Sequence, residues 1–86
     1  MACESPVIVV SPATGAEYEI TLLRIKTRQG WRWTWANVAN AEPHVSRRLL
    51  REAAMDILRN PEWGYLTRRE AFENAREFYA VPNDDL

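Results

Sequence analysis

Residues 30–35, with the sequence Gly-Trp-Arg-Trp-Thr-Trp, constrain the fold of this chain more than any other stretch. They hold three of the four tryptophans of the chain, at alternate positions. Because alternate residues of a β-strand point to the same side of a sheet, the pattern predicts a strand that carries all three indoles on one face. Such a face either forms the core beneath other elements or acts as a stacking surface for a ligand.

Two other segments have the composition of β-strands. Residues 6–10 are a β-branched run followed by turn-forming residues, and because both faces are apolar we expect this strand to be covered on both sides or to lie near the middle of the sheet. A second strand covers about residues 17–27, where the apolar positions change parity between Leu22 and Leu23. We interpret this change as a β-bulge, which would bring five side chains to one face: Tyr18, Ile20, Leu22, Leu23 and Ile25.

The turn after the second strand determines which residues the tryptophans face. A three-residue loop at 28–30 would pair Thr27 with Trp31, whereas a two-residue loop would place Arg24 and Lys26 opposite tryptophans. Three-residue loops commonly need a left-handed residue, which Gly30 can supply. The three-residue register also separates an apolar face from a basic one, so we choose it, although it sets Lys26 opposite Arg32, two like charges.

Two amphipathic helices follow the strands. In residues 43–59 the apolar side chains recur at intervals of three and four, Pro43 suits a first turn, and Pro61 prevents continuation. Thr67 and Glu70 have the spacing of a capping box, which predicts the start of a second helix that runs to about residue 79. The side chains expected to point inward from this helix are Ala71, Phe72, Ala75, Phe78 and Tyr79.

The order of these elements predicts an α+β fold, a three-stranded antiparallel meander followed by two C-terminal helices packed on one face. The 86 residues allow one domain, with an ordered core at about 6–81, a frayed N-terminus at 1–5 and an acidic tail at 82–86. We expect the helices to cover the face that carries the tryptophans. The indoles would then belong to the core, with Trp31, nearest the turn, partly exposed.

Charge is distributed unevenly, although the formal net charge is −1. Residues 24–59 hold eight basic side chains against three acidic ones, and the segments on either side are net acidic. This basic middle could attract a polyanion or an acidic protein surface, or it could be neutralised internally. We expect no signal peptide and no membrane span. The single cysteine, Cys3, cannot form an intramolecular disulfide, and a reducing cytoplasm fits it best.

The sequence does not favour catalysis. His44 is the only histidine, and Ser46, two positions later, would point elsewhere on a helix, so no pair of base and nucleophile is predicted. Cys3 and His44 cannot supply the ligands that zinc needs, and there is no glycine-rich phosphate loop. We therefore expect neither an enzyme activity nor a metal or cofactor.

Three surfaces are candidates for binding. On the sheet face away from the helices, the predicted register gives a basic patch of Arg24, Lys26, Arg28 and Arg32. Arg47 and Arg51 belong to an arginine-rich part of the first helix, for which a solvated helix face is the alternative. Trp63 and Tyr65, between the helices, either close the end of the core or anchor a protein interface.

These surfaces predict a small non-catalytic binding or regulatory module that acts through protein–protein interaction. The alternative is a nucleic-acid-binding domain that uses the basic outer face of the sheet. Binding of single strands also requires aromatic side chains on the contact face, and the predicted register places the tryptophans on the opposite one. An open sheet face is also compatible with a homodimer. No motif in the sequence identifies a protein family.

Overall fold

The computed structural model describes residues 2–80, so the predicted acidic tail at 82–86 lies outside the described residues. The sheet consists of β1 (Ala2–Cys3), β2 (Val7–Val10), β3 (Glu17–Thr27) and β4 (Gly30–Ala36). The helices are α1 (Pro43–Arg59) and α2 (Arg68–Ala80), and a short 3₁₀ turn (Pro61–Trp63) follows α1. The predicted α+β class, an antiparallel sheet followed by two C-terminal helices, is confirmed.

The sheet has four strands rather than three because its N-terminal strand is interrupted. β1 pairs with Leu23 and Arg24 of β3, and β2 pairs with residues 17–20, both in antiparallel orientation. The register shifts by one residue between them, at residues 4–6, where Pro6 has no N–H to give to the ladder. The segment predicted to be frayed, residues 1–5, therefore contains a short paired strand.

The hairpin between β3 and β4 has a two-residue loop, so the predicted three-residue register is wrong by one residue. Thr27 pairs with Gly30, and Arg28 and Gln29 form the loop. The Thr27 hydroxyl donates to the Gly30 carbonyl at 2.7 Å and accepts from the Gln29 N–H at 3.1 Å. Gly30 does have a positive φ of 104°, which few L-residues adopt, but at the first position of β4.

The pairing places the tryptophans opposite Leu22, Arg24 and Lys26 of β3. We call the side of the sheet that carries Leu22, Trp33 and Trp35 the Trp face. The side that carries Leu23, Ile25 and Thr34 is the Leu23 face. β3 alternates regularly between the two faces, so the predicted β-bulge at Leu22-Leu23 is wrong.

The helices pack on opposite faces of the sheet, which corrects the prediction that both cover one face. Ala71 and Ala75 of α2 form one buried cluster with residues of the Trp face, Val9, Ile20 and Leu22. Ala54 and Ile57 of α1 form a separate cluster with Leu23 and Ile25. Leu22 and Leu23 are both 0% exposed. Adjacent apolar residues of a strand can both be buried without a bulge when each face has its own cover.

β2 lies at the edge of the sheet and is covered on one side, so its predicted double cover is also wrong. Val9 is buried under α2, whereas Ile8 and Val10 are about half exposed on the Leu23 face, beyond the reach of α1. Their cross-strand neighbours on that face are Glu19 and Glu17. This end of the Leu23 face is therefore open to solvent.

The predicted capping box starts α2 as expected. The Thr67 N–H donates to the Glu70 carboxylate at 3.1 Å, and the Glu70 N–H donates to the Thr67 hydroxyl at 3.1 Å. These two bonds satisfy backbone donors at the helix start. Phe78, predicted to point inward, is largely exposed and touches Trp35 at a ring-centroid distance of 5.4 Å.

The connection between the helices passes the outer edge of β4. Trp33 and Tyr65 exchange two backbone hydrogen bonds there, of 2.7 and 2.8 Å. Gly64 lies so close to β4 that a Cβ on it would stand 2.8 Å from the Cβ of Arg32. The chain thus crosses from one face of the sheet to the other along a fixed path.

Candidate binding surface at the hairpin

The four basic residues predicted to share one sheet face lie together at the hairpin but not on one face. We call Arg24, Lys26, Arg28 and Arg32 the hairpin cations. Arg24 and Lys26 are on the Trp face because they pair with Trp33 and Trp31. Arg32 pairs with Ile25 on the Leu23 face, and Arg28 is in the loop. The predicted basic outer face, separate from the tryptophans, is therefore wrong.

Trp31 lies beside the two cations of the Trp face. The guanidinium carbon of Arg24 is 4.3 Å from the centroid of the Trp31 ring, and the ammonium nitrogen of Lys26 is 6.0 Å from it. Cation–π contacts of this kind stabilise exposed pairs by about 0.5–1 kcal/mol. Trp31 remains 44% exposed, in agreement with the prediction that it is partly exposed. We call Arg24, Lys26 and Trp31 the basic–aromatic patch.

Arg28 and Arg32 each donate a hydrogen bond to a backbone carbonyl. A terminal nitrogen of Arg28 donates to the carbonyl of Leu58 at 3.2 Å, in the last turn of α1, where a positive charge is favourable. A terminal nitrogen of Arg32 donates to the carbonyl of Trp31 at 2.9 Å. A guanidinium has five N–H donors, so each keeps further donors for an anion.

None of the hairpin cations forms an ion pair within residues 2–80. The ion pairs of this part of the chain join Glu42 to His44, Glu4 to Arg68 and Glu73 to Arg76. Direct carboxylate contacts therefore do not neutralise the hairpin cations. Internal neutralisation was the alternative that the sequence left open for the basic middle of the chain. A surface of this kind attracts phosphate or carboxylate groups.

The arginines of α1 form a separate surface. Arg47 and Arg51 are exposed. Arg28 of the hairpin contacts Leu58, which lies eleven positions after Arg47 in the sequence. At a rise of 1.5 Å per residue this is about 16 Å along the helix. Arg51 also borders a shallow depression of about 250 Å³ that includes the acidic residues Glu52 and Asp56. We therefore keep this surface distinct from the hairpin.

Trp63 and Tyr65 have different environments. Tyr65 is half buried and packs against the cluster beneath α2. Of the two predicted roles, closing the core or anchoring an interface, its position agrees with the first. Trp63 is 59% exposed, and Leu66, on the other side of Tyr65, is 67% exposed. The exposure of Leu66 was not predicted, because a lone leucine in a connection gives no signal of exposure.

His44 lies 3.6 Å from the carboxylate of Glu42, and both side chains are largely exposed. No cluster of three or more His, Cys, Asp or Glu side chains that could hold a metal ion is found in the described part of the chain. A further depression of about 430 Å³, bordered by Ile8, Glu17 and Glu19, is an open surface feature. No helix within residues 2–80 has the length and apolar character needed to cross a bilayer.

The proximity of Trp31 to Arg24 and Lys26 was not predicted, because the three-residue register places these cations on the face opposite the tryptophans. The two-residue loop, the alternative register, places Arg24 and Lys26 opposite tryptophans and would have indicated this arrangement. Comparison with protein-family models, curated proteins and solved structures finds no match to this chain.

Proposed function

We propose that this protein is a small non-catalytic domain that acts by docking onto another protein, with Trp63 and Leu66 as its contact. The observation that carries the proposal is the exposure of these two large apolar side chains, 59% and 67%, on a fixed stretch of chain. Tryptophan is enriched among the few residues that supply most of the energy of protein interfaces. Solvent exposure of such a pair offers apolar area that a partner could bury.

The backbone around Trp63 supports this proposal because it is held in place on both sides. Pro61 is buried, and the Trp63 N–H donates to the carbonyl of Asn60 at 2.9 Å. Tyr65 is tied to Trp33 by two backbone hydrogen bonds. A side chain presented on a rigid backbone loses less conformational entropy on binding than one on a mobile loop.

A regulatory role and a cytoplasmic location are part of the proposal. The surface depressions described above are open and shallow, which suits binding to a macromolecule better than enclosure of a small ligand. Cys3, the single cysteine of the chain, is exposed, and a reducing compartment keeps an exposed thiol reduced.

A comparative pull-down from an extract of the host tests the proposal. The baits are the wild-type protein, Trp63→Ala, Leu66→Ala and, as a matched control, Phe78→Ala, which also shortens a largely exposed apolar side chain. We expect a protein retained by the wild type and by Phe78→Ala to be lost from Trp63→Ala. For a hot-spot tryptophan the loss in affinity is at least about 2 kcal/mol, or roughly 30-fold.

Thermal unfolding of each bait is the control for folding. Substitutions at exposed positions usually change the free energy of unfolding by less than about 0.5 kcal/mol, so Trp63→Ala should unfold as the wild type does. A pull-down in which Trp63→Ala and Phe78→Ala retain the same proteins would exclude Trp63 as the contact. Unfolding of Trp63→Ala would show that this side chain is structural.

A further inference from the structure

The hairpin combines three features that the docking function proposed for Trp63 does not use. An indole that is 44% exposed lies on the Trp face. Two cationic side chains, Arg24 and Lys26, lie against that indole at 4.3 and 6.0 Å from the ring centroid. Two further cations, Arg28 and Arg32, are at the same end of the sheet, and none of the four has a carboxylate partner in the described residues.

An exposed aromatic ring beside several cations is the arrangement with which proteins bind single-stranded nucleic acid. The cations bind phosphates, and bases stack on the ring. The guanidinium of Arg24 lies over the Trp31 ring, and the exposed part of the indole remains available to a base. A base stacked there would extend an existing contact between guanidinium and indole, so no rearrangement of the patch is needed.

This ligand fits the patch better than two other polyanions. In duplex DNA the bases are stacked on one another inside the helix, so a duplex would use the cations but leave the indole without a partner. The hairpin also cannot enter a groove as a free two-stranded ribbon, because Tyr65 pairs with the outer edge of β4. An acidic protein segment would pair with the cations through its carboxylates, which supply no ring to stack on Trp31.

We propose that the hairpin end binds single-stranded nucleic acid, with one base stacked on Trp31 and phosphates held by the hairpin cations. Arg24 and Lys26 hold the phosphates next to the stacked base. Arg28 and Arg32 lie at the end of the hairpin and hold phosphates further along the nucleic acid. Because only one aromatic side chain is exposed in the patch, the binding is sequence-tolerant and short in range.

The test is a titration of the purified full chain with a fluorescently labelled oligothymidylate of about ten nucleotides, followed by anisotropy. The same oligonucleotide in a duplex and polyglutamate as an unlabelled competitor serve as the other two anions. The variants are Trp31→Ala, Trp31→Phe and the double substitution Arg24→Ala with Lys26→Ala. The matched control is Arg47→Ala with Arg51→Ala, which removes the same charge from α1.

The number of cations sets the expected salt dependence. Four phosphate contacts on a single strand give a slope of log K against log salt of about −0.7 × 4, or roughly −3. Raising the salt from about 50 to about 200 mM should then weaken binding about 50-fold. The double substitution of Arg24 and Lys26 should reduce the slope by about 1.4, whereas the double substitution on α1 should leave it unchanged.

Stacking has a different signature. Trp31→Ala should weaken binding by about 5- to 150-fold with the slope retained, because it removes a base contact and no charge. Trp31→Phe should keep most of the affinity. Far-UV circular dichroism and the unfolding midpoint of each variant show whether a loss of binding reflects unfolding. These residues are exposed, so their variants should fold.

Four outcomes would overturn the proposal. They are no binding of the oligonucleotide at about 50 mM salt, equal binding of the duplex, equal competition by polyglutamate, and equal weakening by the two double substitutions. Competition by polyglutamate would instead assign the patch to an acidic protein. The docking function proposed for Trp63 does not depend on any of these results, because Trp63→Ala leaves the hairpin cations and Trp31 in place.

Discussion

The burial of Leu22 and Leu23 on opposite faces of β3 makes a strong prediction about stability. Each is 0% exposed, Leu22 in the cluster beneath α2 and Leu23 in the cluster beneath α1. Replacing either residue by alanine removes buried apolar atoms and leaves a cavity, at a cost of about 2–5 kcal/mol. For a domain of this size 1 kcal/mol shifts the midpoint of thermal unfolding by about 4–8 °C. Each variant should therefore lose at least about 8 °C.

Urea unfolding, followed by circular dichroism and tryptophan fluorescence, measures the effect. Leu66→Ala is the matched control because it makes the same chemical change at a position that is 67% exposed. Its free energy of unfolding should stay within about 0.5 kcal/mol of the wild type. The total stability of a small domain is about 5–15 kcal/mol, so a loss of 2–5 kcal/mol is a readily measured fraction.

One result would refute the two-sided architecture. If Leu23→Ala behaved like Leu66→Ala while Leu22→Ala was strongly destabilised, the Leu23 face would be open and α1 would not lie on it. The reverse result would show that α2 does not pack on the Trp face. A comparable loss in both variants is what a sheet between two helices requires, because adjacent residues of a regular strand point to opposite faces and both are buried only when both faces are covered.

Two further predictions concern local contacts. Thr67→Ala removes the hydroxyl that caps α2 and should lower the free energy of unfolding by about 1 kcal/mol, read from urea unfolding; an unchanged value would mean that the cap contributes nothing. Gly64→Ala introduces a Cβ 2.8 Å from the Cβ of Arg32 and 3.2 Å from Ile57. This overpacking should lower the free energy of unfolding by about 1–3 kcal/mol. A thermal midpoint equal to that of the wild type would show that the connection can move aside.

The elements that the sequence predicted correctly are those with local signals. Residues 43–59 were predicted as a helix, and α1 has these bounds because Pro43 and Pro61 act within one turn of its ends. The capping box at Thr67 is likewise formed by residues three positions apart. The strands at 17–27 and around the tryptophans follow from composition and alternation, although the sequence predicted an end near Ala39 for the second of them and it ends at Ala36.

The register and the placement of the helices were not predictable from local signals. A change of one residue in the loop length turns every side chain of β4 to the other face, and Gly30 is compatible with both loops. The choice of the longer loop depended on the assumption that only one face is covered. That assumption fails because residues 60–67 carry the chain past the edge of β4, a path that the sequence does not signal.

The parity change at Leu22-Leu23 had two explanations, a bulge or a cover on both faces, and β4 contains the information that distinguishes them. Its positions on the Leu23 face include Thr34 and Ala36, which are small and half buried, and Ala36 packs against the cluster beneath α1. A sheet face that is meant for solvent carries more charge than this. The tryptophans alone therefore gave an incomplete pattern, because the residues on the other face of β4 indicate whether a second helix covers that face.

Element lengths explain why the hairpin end of the Trp face is open for binding. β3 has 11 residues and spans about 36 Å at 3.3 Å per residue, whereas α2 has 13 residues and spans at most about 20 Å at 1.5 Å per residue. Even a helix aligned with the strands would leave about 16 Å of the face uncovered. Since α2 packs on Val9 and Ile20 at the far end, the uncovered part holds Lys26 and Trp31. Cations beside an indole would be costly under a helix, because burial would remove their hydration without a counter-charge. Their presence on the Trp face is compatible with the fold because the helix ends short of them.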